Sequence, residues 1–358
     1  MNPTLFGIIG GGWRAEFYLR IARELPDRFC VGGMTVRDAE KGRAIEQAWG
    51  VDTYRTVDEL LRLPGLHFTV ISVPWPVTPV LIRELAGRGM PALAETPPAP
   101  DLEGLIGLQD LIEAGARVQV AEQYLFQPLH AARLQIARSG LLGRVTQAQV
   151  SAAHAYHGVS LIRGLLGVTF ERAIIRALRF ESPIVAGPDR YGLLVEERVA
   201  DSRQTIATLE FGDRLGVFDL TGDQYFSWIR SPRVLVRGEL GEINNREVRY
   251  LQDFCTPVEL ELRRMDAGQY GNLEGYYHKG ILAGSEWVYR NPFVPAKLTD
   301  DEIAIATCLT KMAAYAGGGP SFYSLAEAAQ DHYLGLMIHR AAQSGKTVVA
   351  ERQPWARP

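Results

Sequence analysis

The first third of the chain alternates between two hydrophobic periods. Short apolar runs of strand length recur at residues 5–9, 29–36, 68–73, 90–94 and 118–121. Between them, apolar residues fall at helical spacing: Phe17, Ile21 and Leu25, then Ile45 and Ala48, then Leu102, Leu105, Leu108 and Ile112. Thr56-x-x-Glu59 reads as a capping box opening a short helix with Leu60 and Leu61. Thr78 is the expected cap of a helix with Pro79 at its first position, and Asp101 opens the next one. Strand and helix taking turns in this way calls for an α/β domain built on a parallel, doubly wound sheet. The pattern ends near Ala121, which divides the chain into residues 1–121 and 122–358.

Beyond that point the pattern changes. A helix over about residues 129–139 leads into a strand at 145–151 and a helix containing His157, Leu161, Leu165 and Leu166. Strand-like runs then follow one another at 172–181, 204–211, 215–220 and 233–237, with Gly212-Asp213 as a hairpin turn. Consecutive strands of this kind predict a large, mostly antiparallel sheet in a C-terminal α+β domain. Thr299-x-x-Glu302 and Ser324-x-x-Glu327 are capping boxes for two closing helices, which stop at Gly317 and Gly345.

Composition narrows the function classes. The 358 residues suffice for two cores, and 22% charged with 47% hydrophobic residues is ordinary for a globular protein. A net charge of −3 without a basic block argues against nucleic acid as a partner. Cys30, Cys255 and Cys308 are scattered, with Cys30 expected in a buried strand, and they form neither a disulfide framework nor a metal cluster. No stretch has the length of a membrane span and the first residues lack a basic leader, so a cytoplasmic protein without membrane contact is expected.

The chemistry begins where the first strand ends, in Gly10-Gly11-Gly12-Trp13-Arg14-Ala15. Gly10 permits a sharp turn, Gly12 lets backbone approach a ligand, and Ala15 lets helix pack on strand. With Trp13 and Arg14 opening the helix, its free N–H groups and positive dipole end suit a pyrophosphate. A glycine-rich turn without a ligand produces the same string, but its place directly after the first strand points to a dinucleotide. At the end of the second strand Val36 cannot accept a bond from a ribose hydroxyl, whereas Arg37 can pair with a 2′-phosphate. This favours NADP over NAD. The competing reading is a surface arginine followed by Asp38 as a helix cap.

Several further segments, taken in order, resemble the Gfo/Idh/MocA family of glucose–fructose oxidoreductase and inositol dehydrogenase relatives. They are Gly10-x-Gly12-x-x-Ala15, Val73-Pro74-Trp75, Glu95-Thr96-Pro97, Ala121-Glu122-Gln123-Tyr124, the segment from His157 to Arg163, the sheet segment Ala207-Thr208-Leu209-Glu210-Phe211 and the closing helices. The resemblance implies a Rossmann domain, an open-faced sheet that makes a homodimer or homotetramer, and NAD(P)-linked oxidation of a carbohydrate or polyol hydroxyl. Two other outcomes stay open: a redox-neutral lyase or glycosidase with tightly bound NAD, and a non-catalytic dinucleotide-binding sensor.

The departures from that family matter. Its Glu-Lys-Pro motif reads Glu95-Thr96-Pro97, so a short neutral hydroxyl replaces an ammonium. Ala153 and Ser160 stand where the family presents carboxylates before and after the histidine. His157 is then the remaining acid–base candidate, with Thr96 holding the substrate hydroxyl and Tyr156 as an alternative proton donor. Neighbours on a helix point about 100° apart, so Tyr156 and His157 are not expected to face one substrate equally. Pro74 and Trp75 would wall the crevice, while Glu95 and Gln123 at equivalent strand ends would contact the nicotinamide ribose or substrate. His154 with His157 lacks a third ligand, so no metal is expected. Glu196 and Glu197 are expected on opposite faces of a strand and make a poor catalytic pair. The run Gln269-Tyr270-Gly271-Asn272 with Tyr276-Tyr277-His278-Lys279 suits either carbohydrate recognition or an oligomer contact.

Overall fold

The computed structural model describes residues 3–271 and 273–356; Asn272 of the aromatic run lies outside them. In the first domain, β1 (Thr4–Ile9) leads to α1 (Trp13–Glu24), β2 (Phe29–Thr35) to α2 (Ala39–Trp49), and β3 (Thr53–Tyr54) to α3 (Val57–Leu61). Then come β4 (Phe68–Ile71), α4 (Thr78–Gly87), β5 (Ala92–Ala94), α5 (Leu102–Ile106), α6 (Gln109–Glu113) and β6 (Val118–Val120). The six strands are parallel in the order β3-β2-β1-β4-β5-β6. That order reverses direction between β1 and β4, and ligands of such sheets bind outside the strand ends at this switch point.

Local signals account for most of these elements, and the exceptions have physical reasons. Thr56 and Asp101 cap α3 and α5 through their side chains. Thr78 is instead the first residue of α4, its side chain buried, with Val77 at the cap. The helix expected from Asp101 onward breaks at Gly107 into α5 and α6, glycine being a poor helix former. Ala48 faces solvent. Cys30 lies in β2 but is exposed, because it stands near the start of the strand, which emerges toward solvent there.

In the second domain α7 (Pro128–Arg138), β7 (Val145–Ser151) and α8 (Ala155–Leu166) precede β8 (Ala173–Val185), β9 (Val199–Phe211), β10 (Arg214–Thr221) and β11 (Arg233–Gly238). The chain continues through β12 (Gly241–Asn244), β13 (Glu247–Asp253), β14 (Thr256–Asp266), β15 (His278–Ala283) and β16 (Glu286–Arg290). It closes with α9 (Asp300–Ala316), α10 (Leu325–Ser344) and β17 (Val348–Ala350). These eleven strands form one sheet in the order β16-β15-β14-β13-β12-β11-β7-β10-β9-β8-β17. All neighbours are antiparallel except β7 and β10. Glu196 and Glu197 fall in the connection between β8 and β9, not in a strand.

Helix α8 buries Val159, Leu161, Ile162, Leu165 and Leu166, each contributing roughly 1.5–3 kcal/mol if fully removed from water. Its approach to β10 is close enough that a Cβ at Gly158 would stand 2.6 Å from the Phe218 ring. Arg163 ties α8 to α10 by donating to Glu327 O (3.3 Å) and the Asp331 carboxylate, and it also donates to Thr169 O (2.9 Å) just past the helix. Helix α9 crosses back to the first domain: Ile303, Ile305, Leu309 and Met312 share a core with Phe6, Ile8, Tyr18 and Leu93. Among the described residues no helix is long and apolar enough to cross a membrane.

Candidate active site

The crevice at the switch point is built from strand ends. Gly10 takes φ +113°, and a Cβ there would stand 1.9 Å from Ser72 O, so the turn from β1 to α1 passes too close to β4 for any side chain. Gly12 caps α1 with no side-chain bond and with open space on its Cβ side, as a backbone cradle for an anion requires. Ala15 is buried under the helix. Trp13 is half exposed at the mouth of the turn.

Arg14 turns away from that mouth toward β5. Its Nε donates to Glu95 Oε1 at 2.9 Å, and the same oxygen accepts from Tyr18 Oη at 2.5 Å. Burial opposes the guanidinium charge, but Glu95 and the Tyr18 hydroxyl outweigh it and hold its pKa above the ordinary arginine range. Glu95 is therefore committed on one oxygen to protein partners. Thr96 is half-buried beside it.

The ends of β6 and the start of α8 bring together a pair 35 positions apart in sequence. His157 Nδ1 lies 2.6 Å from Glu122 Oε2, with both side chains nearly inaccessible. Burial pushes Glu122 up to about 8, against the backbone N–H of Tyr124 that bonds it at 3.1 Å. Burial, reinforced by the Arg14 charge, takes His157 down to about 3. At neutral pH the imidazole is thus uncharged, and the proton of the short contact rests on Glu122, which donates it to Nδ1. Gln123, next in sequence, is buried, and its Oε1 has no hydrogen-bond partner among the described residues. An orphaned acceptor at a strand end suits the hydroxyl or amide donors of a nicotinamide nucleoside.

An aromatic wall completes the crevice. Trp75, half exposed beyond β4 next to exposed Pro74, meets Tyr156 edge-on at 6.1 Å and His332 at 6.3 Å. The Tyr156 and His157 rings lie 4.4 Å apart, so these helix neighbours do converge, contrary to the divergence expected from their spacing. They stand in the first turn of α8. Tyr124 approaches His157 at 4.4 Å from the other side. Tyr225 Oη accepts from His154 N at 2.7 Å. Burial raises the phenols of Tyr156 and Tyr124, and that of Tyr225 to about 12, so all three remain hydrogen-bond donors at neutral pH.

Other predicted residues stand apart. Arg37 is exposed just past β2, and Asp38 accepts from Lys41 N at 2.9 Å as the cap of α2. In the aromatic run, Tyr277 bonds Glu274 (2.8 Å) and His278 bonds Asp266 (2.9 Å), which spends both locally at the turn between β14 and β15. A cleft of about 1010 Å³ is lined by His130, Arg133, Asn245 and Arg246 and lies between α7 and the strands β12–β14 rather than at the glycine turn. Sequence reasoning passed over Glu122, Tyr18, Tyr124 and Tyr225; Glu122 and Tyr124 lay inside a motif already noted, but nothing local disclosed their partner.

Residues 4–122 match the Gfo/Idh/MocA family, described as an oxidoreductase family with an NAD-binding Rossmann fold. Among solved structures the chain is similar to levoglucosan dehydrogenase in complex with NADH, at 15% identity and TM-score 0.70, covering 99% of this chain and 100% of that one. It is similar to the WlbA dehydrogenase from Bordetella pertussis in complex with NADH and UDP-GlcNAcA, at 16% identity and TM-score 0.65, covering 98% and 100%. A third is an oxidoreductase from Agrobacterium radiobacter in complex with NAD+, L-tartaric acid and magnesium, at 14% identity and TM-score 0.66, covering 97% and 98%. At such identities the likeness establishes a shared fold over both domains. No curated protein sequence matches the chain significantly.

Proposed function

We propose that the chain is an NAD(P)-dependent dehydrogenase of a sugar or polyol hydroxyl, a reading that the match of residues 4–122 to the Gfo/Idh/MocA oxidoreductase family supports. The observation that carries this reading is the buried Glu122–His157 pair beside the switch-point crevice. The known ligands of the structural neighbours, among them levoglucosan and UDP-GlcNAcA, support a carbohydrate as substrate.

Gly10, Gly12, Trp13 and Ala15 would form the diphosphate cradle, with Gln123 and the free oxygen of Glu95 toward the nicotinamide ribose. A nicotinamide held there supplies hydride acceptance and donation. His157 handles the proton. With Nδ1 committed to Glu122, Nε2 is the nitrogen left for a substrate hydroxyl. When the pair holds one proton between the two groups, Nε2 is free to accept from an alcohol; when Glu122 is protonated as well, Nε2–H donates to a carbonyl oxygen. Tyr156 donates a hydrogen bond to the same oxygen, Thr96 orients it, and Arg14 is the cation that Thr96 cannot be. Trp75 offers an indole face to the apolar side of a sugar ring.

Arg37, exposed beyond β2 where Asp38 is already spent on a helix cap, supports NADP over NAD. Leu178 and Phe180, 53% and 55% exposed on the sheet, support a homodimer or homotetramer formed through that sheet. The test is a fluorescence titration with NADH and NADPH side by side, followed by a panel of sugars and polyols with added NADP or NAD. Arg37→Ala should weaken NADPH about tenfold and NADH little, as loss of one charge-assisted bond predicts. Unchanged affinity for both would remove the NADP preference. Bound cofactor without net turnover would favour the redox-neutral reading, and binding with no hydride transfer to any sugar would favour the sensor.

A further inference from the structure

The connection between β8 and β9 reaches from the second domain to the glycine turn of the first. Arg190, on this connection, places its guanidinium carbon 3.5 Å from the centroid of the Trp13 ring and 5.7 Å from that of Phe226. Trp13 is the first residue of α1, directly after Gly12. Arg190 therefore sits at the end of the helix where unpaired N–H groups and the positive dipole end already attract an anion.

The arginine is held in place without being neutralised. Asp189 and Gly192 close a tight turn around it, Asp189 N donating to Gly192 O at 3.0 Å and Gly192 N to Asp189 O at 3.3 Å. The Asp189 carboxylate accepts from Tyr191 N at 2.7 Å, which fixes the turn rather than the guanidinium. The base of the connection packs closely, a Cβ at Gly187 falling 3.2 Å from Ser227 Cα. Among the described residues Arg190 forms no ion pair. A guanidinium stacked on an indole uses its flat face for the ring and leaves its in-plane N–H groups directed outward, the arrangement that meets two phosphate oxygens side by side.

We propose that Arg190 is a ligand of the dinucleotide's diphosphate, supplied by the second domain to the cradle made by the first. This rests on the dinucleotide reading above and deepens it: the diphosphate is bracketed between the backbone of α1 and a cation on the β8–β9 connection. The same connection extends toward the substrate side, where the pKa of His154 is lowered by burial first, then by His157, then by Arg190. Cofactor binding would thereby join the two domains across the mouth of the crevice.

The experiment is a fluorescence titration of NADH into the full chain, the Arg190→Ala variant and the Arg190→Lys variant, at low and at elevated sodium chloride. Arg190 is exposed, so both variants should keep the melting temperature of the parent. Arg190→Ala should bind NADH roughly 10- to 100-fold more weakly, the effect of one lost bidentate, charge-assisted contact, and Arg190→Lys should fall between. The affinity of the alanine variant should also depend less on salt. Reduced nicotinamide mononucleotide, which lacks the diphosphate bridge, should bind parent and variant alike. An affinity for NADH within about twofold of the parent in Arg190→Ala would overturn the assignment, since a direct contact to phosphate is worth more than that. Equal losses for NADH and the mononucleotide would overturn it too. Failure of the unaltered chain to bind either NADH or NADPH would overturn the dinucleotide reading itself, and this proposal with it.

Discussion

Helix α8 carries two buried polar pairs, two turns apart, that meet opposite fates. At its end Arg163 meets Asp331 of α10, and at its start His157 meets Glu122 beyond β6. Each pair is almost wholly removed from water. Arg163 is held by three bonds: the carboxylate and two backbone carbonyls accept from its Nε and Nη1, and Tyr323 supplies Asp331 with a further hydroxyl. Burial alone would lower its pKa, and Asp331 overrides that to keep it charged. The His157 pair has no such permanent charge. It holds a mobile proton, with the rings of Tyr124 and Tyr156 packed around the imidazole. Burial with full pairing makes a fixed joint, whereas burial with one shared proton makes a group that can give and take.

Breaking each pair should therefore fail in different ways. Arg163→Met strips the buried Asp331 carboxyl, already raised to about 7 by burial, of its cation and should cost about 3–5 kcal/mol, read as a lower urea midpoint with an unchanged slope. NADH affinity of whatever protein remains folded should be unaltered. If that variant lost cofactor affinity but not stability, the assignment of the first pair as a joint would be wrong. His157→Asn keeps a polar partner for Glu122 while removing the proton carrier. Turnover should drop by about 10²–10⁴, with the dissociation constant for NADH changed little. Retention of full turnover on a sugar that the parent oxidises would strip His157 of its role.

The same contrast explains what could be read in advance. The capping boxes at Thr56, Thr299 and Ser324 each depend on two residues three apart, and all three form. The Gly10 turn follows a buried strand and is equally local. The Glu122–His157 contact spans 35 positions and exists because β6 ends where α8 begins, which no local pattern records. Strands β13 and β14 escaped the hydrophobic pattern because they lie nearly bare: Val248 is the one buried residue of β13, between exposed Glu247 and Arg249. Cys30 was misplaced because it lies near the start of β2, which emerges toward solvent there, whereas Met34 further along the same face is buried. The fold was thus largely legible, and of the site the turn and His157 were, while its partner and its aromatic surroundings were not.

The smallest effect, and the most specific to a shared proton, is the pH dependence of stability. Glu122, ordinarily near 4.5, is raised to about 8 in the folded chain, so the native state retains a proton that the unfolded state has lost. Its contribution is present below 4.5 and disappears as pH rises through about 8. His157 runs the other way: lowered from 6.5 to about 3, it makes the native state refuse a proton, and stability rises with pH between those values. The two slopes oppose each other in mildly acidic solution, and above 6.5 only that of Glu122 remains. In Glu122→Gln the amide does not titrate, so the variant should gain on the parent by about 1 kcal/mol between pH 7 and 8 in paired urea melts. The Arg163→Met variant should instead show a steeper slope than the parent, because Asp331, already raised to about 7 by burial, loses the cation that holds it down. A parent and Glu122→Gln pair whose stabilities run parallel from pH 6.5 to 8.5 would mean that Glu122 enters the folded state already ionised, and the pair would then be a second fixed joint like the first.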